Sequence, residues 1–108
     1  MDTLKILGQS KPSAASLTDI YTVPALTSTT ISSIVVCNQS ATATAFRISV
    51  AIAGAANTAA QYLYYDVAIG GNQTFVATIG VTLATTDKVR VYNTRATLSF
   101  NLFGIEVT

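Results

Sequence analysis

The stretch from residue 31 to residue 53 constrains this chain more than any other. It holds two apolar runs rich in β-branched residues, separated by the polar Asn38-Gln39-Ser40. In the second run Phe46, Ile48, Val50 and Ile52 occupy one parity, and Ala45, Arg47, Ser49 and Ala51 the other. Successive side chains leave a strand on opposite sides, so this alternation predicts a strand with one buried face. The first run, Ile34-Val35-Val36-Cys37, is continuous and predicts a central strand covered on both faces. Neither run has a helical period.

The same period recurs along the chain. Residues 17–23 put Leu17, Asp19, Tyr21 and Val23 on one parity and stop at Pro24, which cannot donate to a ladder. Residues 61–69, QYLYYDVAI, place Leu63, Tyr65, Val67 and Ile69 on the more apolar parity. That parity is expected inward, leaving Tyr62, Tyr64 and Asp66 outward. Gly70-Gly71-Asn72 is a strong turn signal and predicts a hairpin with residues 73–83. There Phe75, Ala77, Ile79 and Val81 should face in, with Gly80 at a bulge or bend. Residues 87–94 turn Val89 and Val91 in and Lys88, Arg90 and Tyr92 out. In residues 97–107 the apolar parity passes from Leu98, Phe100 and Leu102 to Phe103, Ile105 and Val107, which predicts a bulge near Phe103-Gly104.

About eight strands with short turns and no helix give an all-β chain, a two-sheet antiparallel β-sandwich. The strand number favours a jelly-roll-like order, and the absence of tryptophan and of a cysteine pair argues against an immunoglobulin-like one. Residues 17–108 are expected to form the sandwich domain. Residues 1–16 are either an edge strand or an N-terminal arm whose Leu4 and Ile6 pack on a neighbour by strand addition.

Composition bears on function chiefly through charge. Only 10% of the residues are charged, against about 25% in an average soluble domain. Interface cores are depleted in charge, so self-association is expected. The net charge is +1 and the basic residues are scattered, which gives no basis for nucleic-acid binding. No apolar run is long enough to span a membrane as a helix. The start, Met1-Asp2-Thr3-Leu4-Lys5, lacks the pattern of a signal peptide, so folding in a cytoplasm is expected.

The side-chain inventory argues against catalysis. There is no histidine, and Cys37 is the single cysteine, so a thiol nucleophile would lack a base. Cys37 is expected as a small buried hydrophobe. The acids Asp2, Asp19, Asp66, Asp87 and Glu106 are isolated in sequence, and no ligand set for zinc or calcium is present. No cofactor is expected. The outward Tyr62 and Tyr64 are candidate interface residues, because tyrosine is favoured where one end of a side chain is buried and the other is hydrogen-bonded. Arg47 and Asp66, also outward, could pair across strands or across an interface.

The segments LGQSKPSAASLTDIYTVPALTSTTISSIVVCNQS, ATAFRISVAIAG, QYLYYDVAIGGNQTFVATIGVTL and LSFNLFGIEV, from Leu7 to Val107, resemble a small β-sandwich module of virion proteins of tailed bacteriophages. The resemblance lies in the order of the strands: a start like LGQS, then Ile20-Tyr21-Thr22-Val23-Pro24, SSIVVCN, FRISVA and YLYYD. It implies a non-enzymatic structural protein, assembled in the host bacterial cytoplasm and located in the virion. Capsid decoration (cement) proteins of this kind sit as trimers on the major capsid protein shell. Similar modules occur in tail, neck and fibre proteins. Small β-sandwiches also bind carbohydrate through exposed aromatic residues, which makes a glycan-binding module the alternative outside the virion.

Overall fold

The computed structural model describes residues 1–108, and the alternating segments become nine strands. These are β1 (Asp2–Ser10), β2 (Leu17–Thr22), β3 (Ser28–Asn38), β4 (Thr44–Ala51), β5 (Tyr62–Ile69), β6 (Thr74–Ala77), β7 (Val81–Leu83), β8 (Lys88–Asn93) and β9 (Leu98–Val107). Two single 3-10 turns, Ile52–Gly54 and Ala59–Gln61, lie between β4 and β5. One sheet runs β1-β9-β3-β6, with β7 also on β3; the other runs β2-β8-β4-β5. All pairings are antiparallel.

The pairings nest. The first strand pairs with the last, β2 with β8, β3 with β6 and β7, and β4 with β5. A long hairpin rolled upon itself produces this order, which is the jelly roll expected from the strand count. Contacts of β9 with β3 and β8 with β4 complete the sheets.

The core fills the space between the sheets. Ile31, Ile34, Val36, Leu98, Phe100 and Leu102 come from one sheet and Phe46, Ile48, Val89 and Val91 from the other, all fully buried. At the centre the Phe46 ring lies 5.1 Å from Phe75 and 6.2 Å from Phe100. The alternation of β4 thus holds for Phe46, Ile48 and Val50. The strand ends at Ala51, so Ile52 lies in the following 3-10 turn and is 81% exposed, while Ser49 and Ala51 on the other parity are buried.

Several expectations are corrected. Residues 73–83 are two strands, because the chain leaves the ladder at Thr78-Ile79-Gly80. Gly70-Gly71-Asn72 does turn the chain, with Asn72 at φ 55°, but β5 and β6 lie in opposite sheets and form no hairpin. Leu17 and Asp19 face outward whereas Tyr21 faces inward, because Ile20 is an extra residue opposite β8. No slip occurs inside β9: Leu98, Phe100, Leu102 and Gly104 all face the core. The extra residues sit in its neighbours instead, at Leu7 of β1 and Ser32 of β3. Gly104 makes room for this arrangement, since a Cβ there would lie 2.2 Å from the Thr30 carbonyl oxygen and 2.9 Å from Leu7 Cδ1.

The β3 strand is central but is covered on one face only. Its outward Val35 and Cys37 are half-buried, so Cys37 lies on the outer face of the sheet and outside the core. The first residues of the chain form the edge strand β1, paired with β9 along its length.

Candidate interaction surfaces

The two sheets present unlike outer faces. The face of the four-stranded sheet carries ion pairs and tyrosines, and β5 decides which. Opposite β4 this strand shifts register twice, once at Tyr65-Asp66 and once at Leu63. Asp66 adopts φ 50°, the left-handed conformation of a bulge residue. Each extra residue reverses facing. Tyr64 therefore turns inward, against Phe75 at 5.4 Å and Phe46 at 6.5 Å. The expectation that Tyr64 faces outward is thereby corrected, and so is the inward placement of Leu63 and Tyr65, which are exposed.

The same bulge brings Tyr65 and Asp66 together opposite Arg47. Arg47 Nε donates to Asp66 Oδ1 at 2.6 Å and its Nη2 to Oδ2 at 3.3 Å. The guanidinium carbon lies 4.1 Å from the Tyr65 ring centroid, 4.7 Å from Tyr92 and 5.9 Å from Tyr62. Tyr62 and Tyr65 meet edge to face at 5.0 Å. The Asp66 carboxylate holds the Arg47 pKa above its usual value. Of the residues expected here, Arg47, Asp66 and Tyr62 are brought together and Tyr64 is not. Tyr65 and Tyr92 complete the cluster. Tyr92 was legible as outward from its parity; Tyr65 was hidden by the bulge.

Beside this cluster, Asp19 accepts from Lys88 Nζ at 3.0 Å and from Arg90 Nε at 2.9 Å. The hydrogen bond from Lys88 is the main reason its carboxyl lies below the usual range. Arg90 is outward in parity yet buried. Its remaining nitrogens donate to the carbonyls of Ala55 at 2.7 Å and Gly54 at 3.1 Å, which fastens the loop after β4 over the sheet. An apolar hollow of about 370 Å³ under that loop is lined by Val50, Ile52, Ala56 and Gln61, among others.

The outer face of the five-stranded sheet has a different character. Leu4 and Ile6 stand on β1, 82% and 53% exposed. Register places Leu4 beside Ile105 and Ile6 beside Phe103 on β9. Val35 on β3 continues the face to Val76 on β6, which is 58% exposed. The rest of this face is Val107, Ser, Thr, Asn, Gln and Cys37, with Asp2 the one charged residue, at a corner. Leu4 and Ile6, the apolar residues expected to pack, are thus part of a larger surface that carries a single charge.

At the rim between the sheets, the Tyr21 hydroxyl lies 2.7 Å from Thr29 Oγ1 and donates to Glu106 Oε2 at 2.6 Å, while Lys5 Nζ donates to Glu106 Oε1 at 3.2 Å. Burial, reinforced by Glu106, pushes the Tyr21 pKa up to about 12. The Tyr21 hydrogen bond holds Glu106 below the usual range. These carboxylates are engaged in ion pairs and hydrogen bonds. No three His, Cys, Asp or Glu side chains gather as metal ligands, and no helix is long and apolar enough to cross a membrane.

Comparison with protein-family models, with curated proteins and with solved structures finds no match.

Proposed function

We propose that this chain is a non-enzymatic structural protein of a tailed-bacteriophage virion, a capsid decoration protein that self-associates and stabilises the major capsid protein shell. The observation that carries this reading is the outer face formed by β1, β9, β3 and β6, whose one charge, Asp2, lies at a corner. Such a face can be covered without burying an unpaired charge, which would cost several kcal/mol. A jelly roll is a frequent architecture of capsid and lectin domains, and this agrees with the resemblance in strand order without fixing a role. The mechanism is mechanical. A rigid sandwich bonded at many equivalent sites raises the cost of separating neighbouring shell subunits.

Cryo-electron microscopy of the particle is the test. Density for this sandwich on the outer shell in hundreds of copies is expected, on the order of a decoration lattice. Density confined to tail, neck or fibre, at a dozen copies or fewer, moves the protein to that part of the virion. Absence from purified particles refutes the reading.

The tyrosines around Arg47 favour one other reading, a glycan-binding module. A sugar ring would stack on Tyr65 and hydrogen-bond to Asp66. A glycan array is its test. A clear hit that is lost in Tyr65→Ala supports it, and no hit at millimolar glycan refutes it.

A further inference from the structure

The two sheets of the sandwich have four edges, and three are blunted against strand addition. The β2 edge is interrupted by the extra residue Ile20. The β5 edge shifts register twice and holds Asp66 at φ 50°. The edge opposite β1 in its own sheet is split into β6 and β7, of four and three residues. Bulges and short strands are the usual protections of sheet edges.

The β1 edge is less protected. From Asp2 to Ile6 it stays in unbroken register with Val107 to Phe103, and its single shift comes after Ile6. The outward side chains of this segment are Asp2, Leu4 and Ile6, with Leu4 82% and Ile6 53% exposed. A lysine on an edge is normally protective. Here Lys5 lies on the other side of β1, where it is paired with Glu106 of its own chain.

We propose that two copies of this chain pair antiparallel through the free edges of β1, along Asp2–Ile6, about a two-fold axis. The inference deepens the reading of the chain as a self-associating structural protein and rests on it. An edge strand is satisfied by another free edge of similar length, and the exposed Leu4 is satisfied by an apolar neighbour. A second copy supplies both, whereas the other three edges of the chain do not. The contact is therefore isologous and cannot propagate head to tail. Pairing sets Leu4 of one copy beside Leu4 of the other at the axis, and Ile6 beside Asp2 of the other copy. The outer face, with Phe103 and Ile105 next in line, then continues across both sheets. This symmetry is two-fold, in place of the trimer that the resemblance implies.

Light scattering coupled to size exclusion tests the contact on the full chain. The expected mass is twice the 11.3 kDa chain mass. It should not change at high salt, because no ion pair holds the contact. The double variant Leu4→Lys/Ile6→Lys should run at half the wild-type mass with an unchanged circular dichroism spectrum. A wild-type monomer at all concentrations, a trimer, or a dimer that survives the double substitution overturns the proposal. If the double variant fails to fold, single cysteines decide. In a Cys37→Ser background, oxidation should cross-link Leu4→Cys chains, whose thiols meet at the two-fold axis, into covalent dimers and leave Ile6→Cys and Val76→Cys chains monomeric. Absence of the Leu4→Cys cross-link overturns the pairing. Solution mass and cross-linking judge this contact alone. The particle density judges the virion reading, so failure of the one is distinguishable from failure of the other.

Discussion

Tyr64 and Tyr65 are adjacent, chemically identical and placed on opposite sides of the sheet, which makes them a sensitive test of the β5 bulges. Tyr64 packs against two phenylalanines, while Tyr65 is 58% exposed and lies over Arg47. Truncating a fully buried large aromatic to alanine costs about 3–5 kcal/mol. Tyr64 is only half-buried, which reduces that figure, but its two aromatic partners add about 0.5–1.5 kcal/mol each. Tyr64→Ala is therefore expected to destabilise by about 3 kcal/mol. Tyr65→Ala loses one exposed cation–π contact, worth about 0.5–1 kcal/mol, and the edge-to-face contact with Tyr62, worth about 0.5 kcal/mol at this exposure. At roughly 5 °C per kcal/mol for a domain near this size, the expected losses in Tm are about 15 °C and about 5–8 °C. Differential scanning calorimetry of the two variants measures both. Equal losses, or a larger loss for Tyr65→Ala, would show that β5 keeps the uninterrupted alternation of its sequence and that the bulges are misplaced.

Three further outcomes are expected. Gly104→Ala should cost about 3 kcal/mol in chemical denaturation, because the new Cβ meets the Thr30 carbonyl and Leu7 with no free volume to enter; a cost below about 1 kcal/mol would contradict the close approach of β9 to β3. Arg90→Met should release the loop after β4, so that hydrogen exchange at residues 52–61 accelerates while β4 and β8 stay protected; unchanged exchange would mean that the Gly54 and Ala55 carbonyls do not hold the loop. Asp19 and Glu106 have depressed carboxyl pKa values in the fold, so the stability they contribute is present above their ordinary values of 3.8 and 4.5 and is lost as pH falls through the folded values. Tyr21 is raised from 10.0 to about 12, so its contribution is present below pH 10.0 and is lost between there and about pH 12. Denaturation midpoints across pH measure both limbs, and Glu106→Gln should flatten the acid one.

The strands that read correctly from sequence have one apolar face and unbroken register. In β4 the parity of Phe46, Ile48 and Val50 is inward, as its alternation predicts. In β8 the inward Val89 and Val91 alternate with Lys88, Arg90 and Tyr92 in the same way. The failures have two physical causes. A bulge adds one residue without any distinctive side chain, so Tyr65-Asp66 looks like ordinary strand sequence while every facing beyond it is reversed. A turn signal is local, so Gly70-Gly71-Asn72 reports the reversal and not the sheet to which the next strand belongs. In β9 the difficulty is different. Phe103, Ile105 and Val107 are apolar and face outward, and an outer face that is itself apolar imitates a change of parity.

That imitation carries functional information. Parity arguments equate apolar with inward because a lone sandwich has one core. In β9 and β3 both parities are apolar: Leu102 faces the core beside outward Phe103, and Ile34 and Val36 face it beside outward Val35. Strands patterned in this way are normally covered on both faces. One chain supplies one cover, the four-stranded sheet, and leaves the other side half-exposed. The opposite sheet follows the rule for a solvated face, with its charges collected into the pairs of Arg47 with Asp66 and of Lys88 and Arg90 with Asp19. The composition is therefore not uniformly poor in charge. Apart from Asp2, charge is withheld from the outer face of one sheet and concentrated on that of the other, a distribution that suits the proposed covering of the first face by protein.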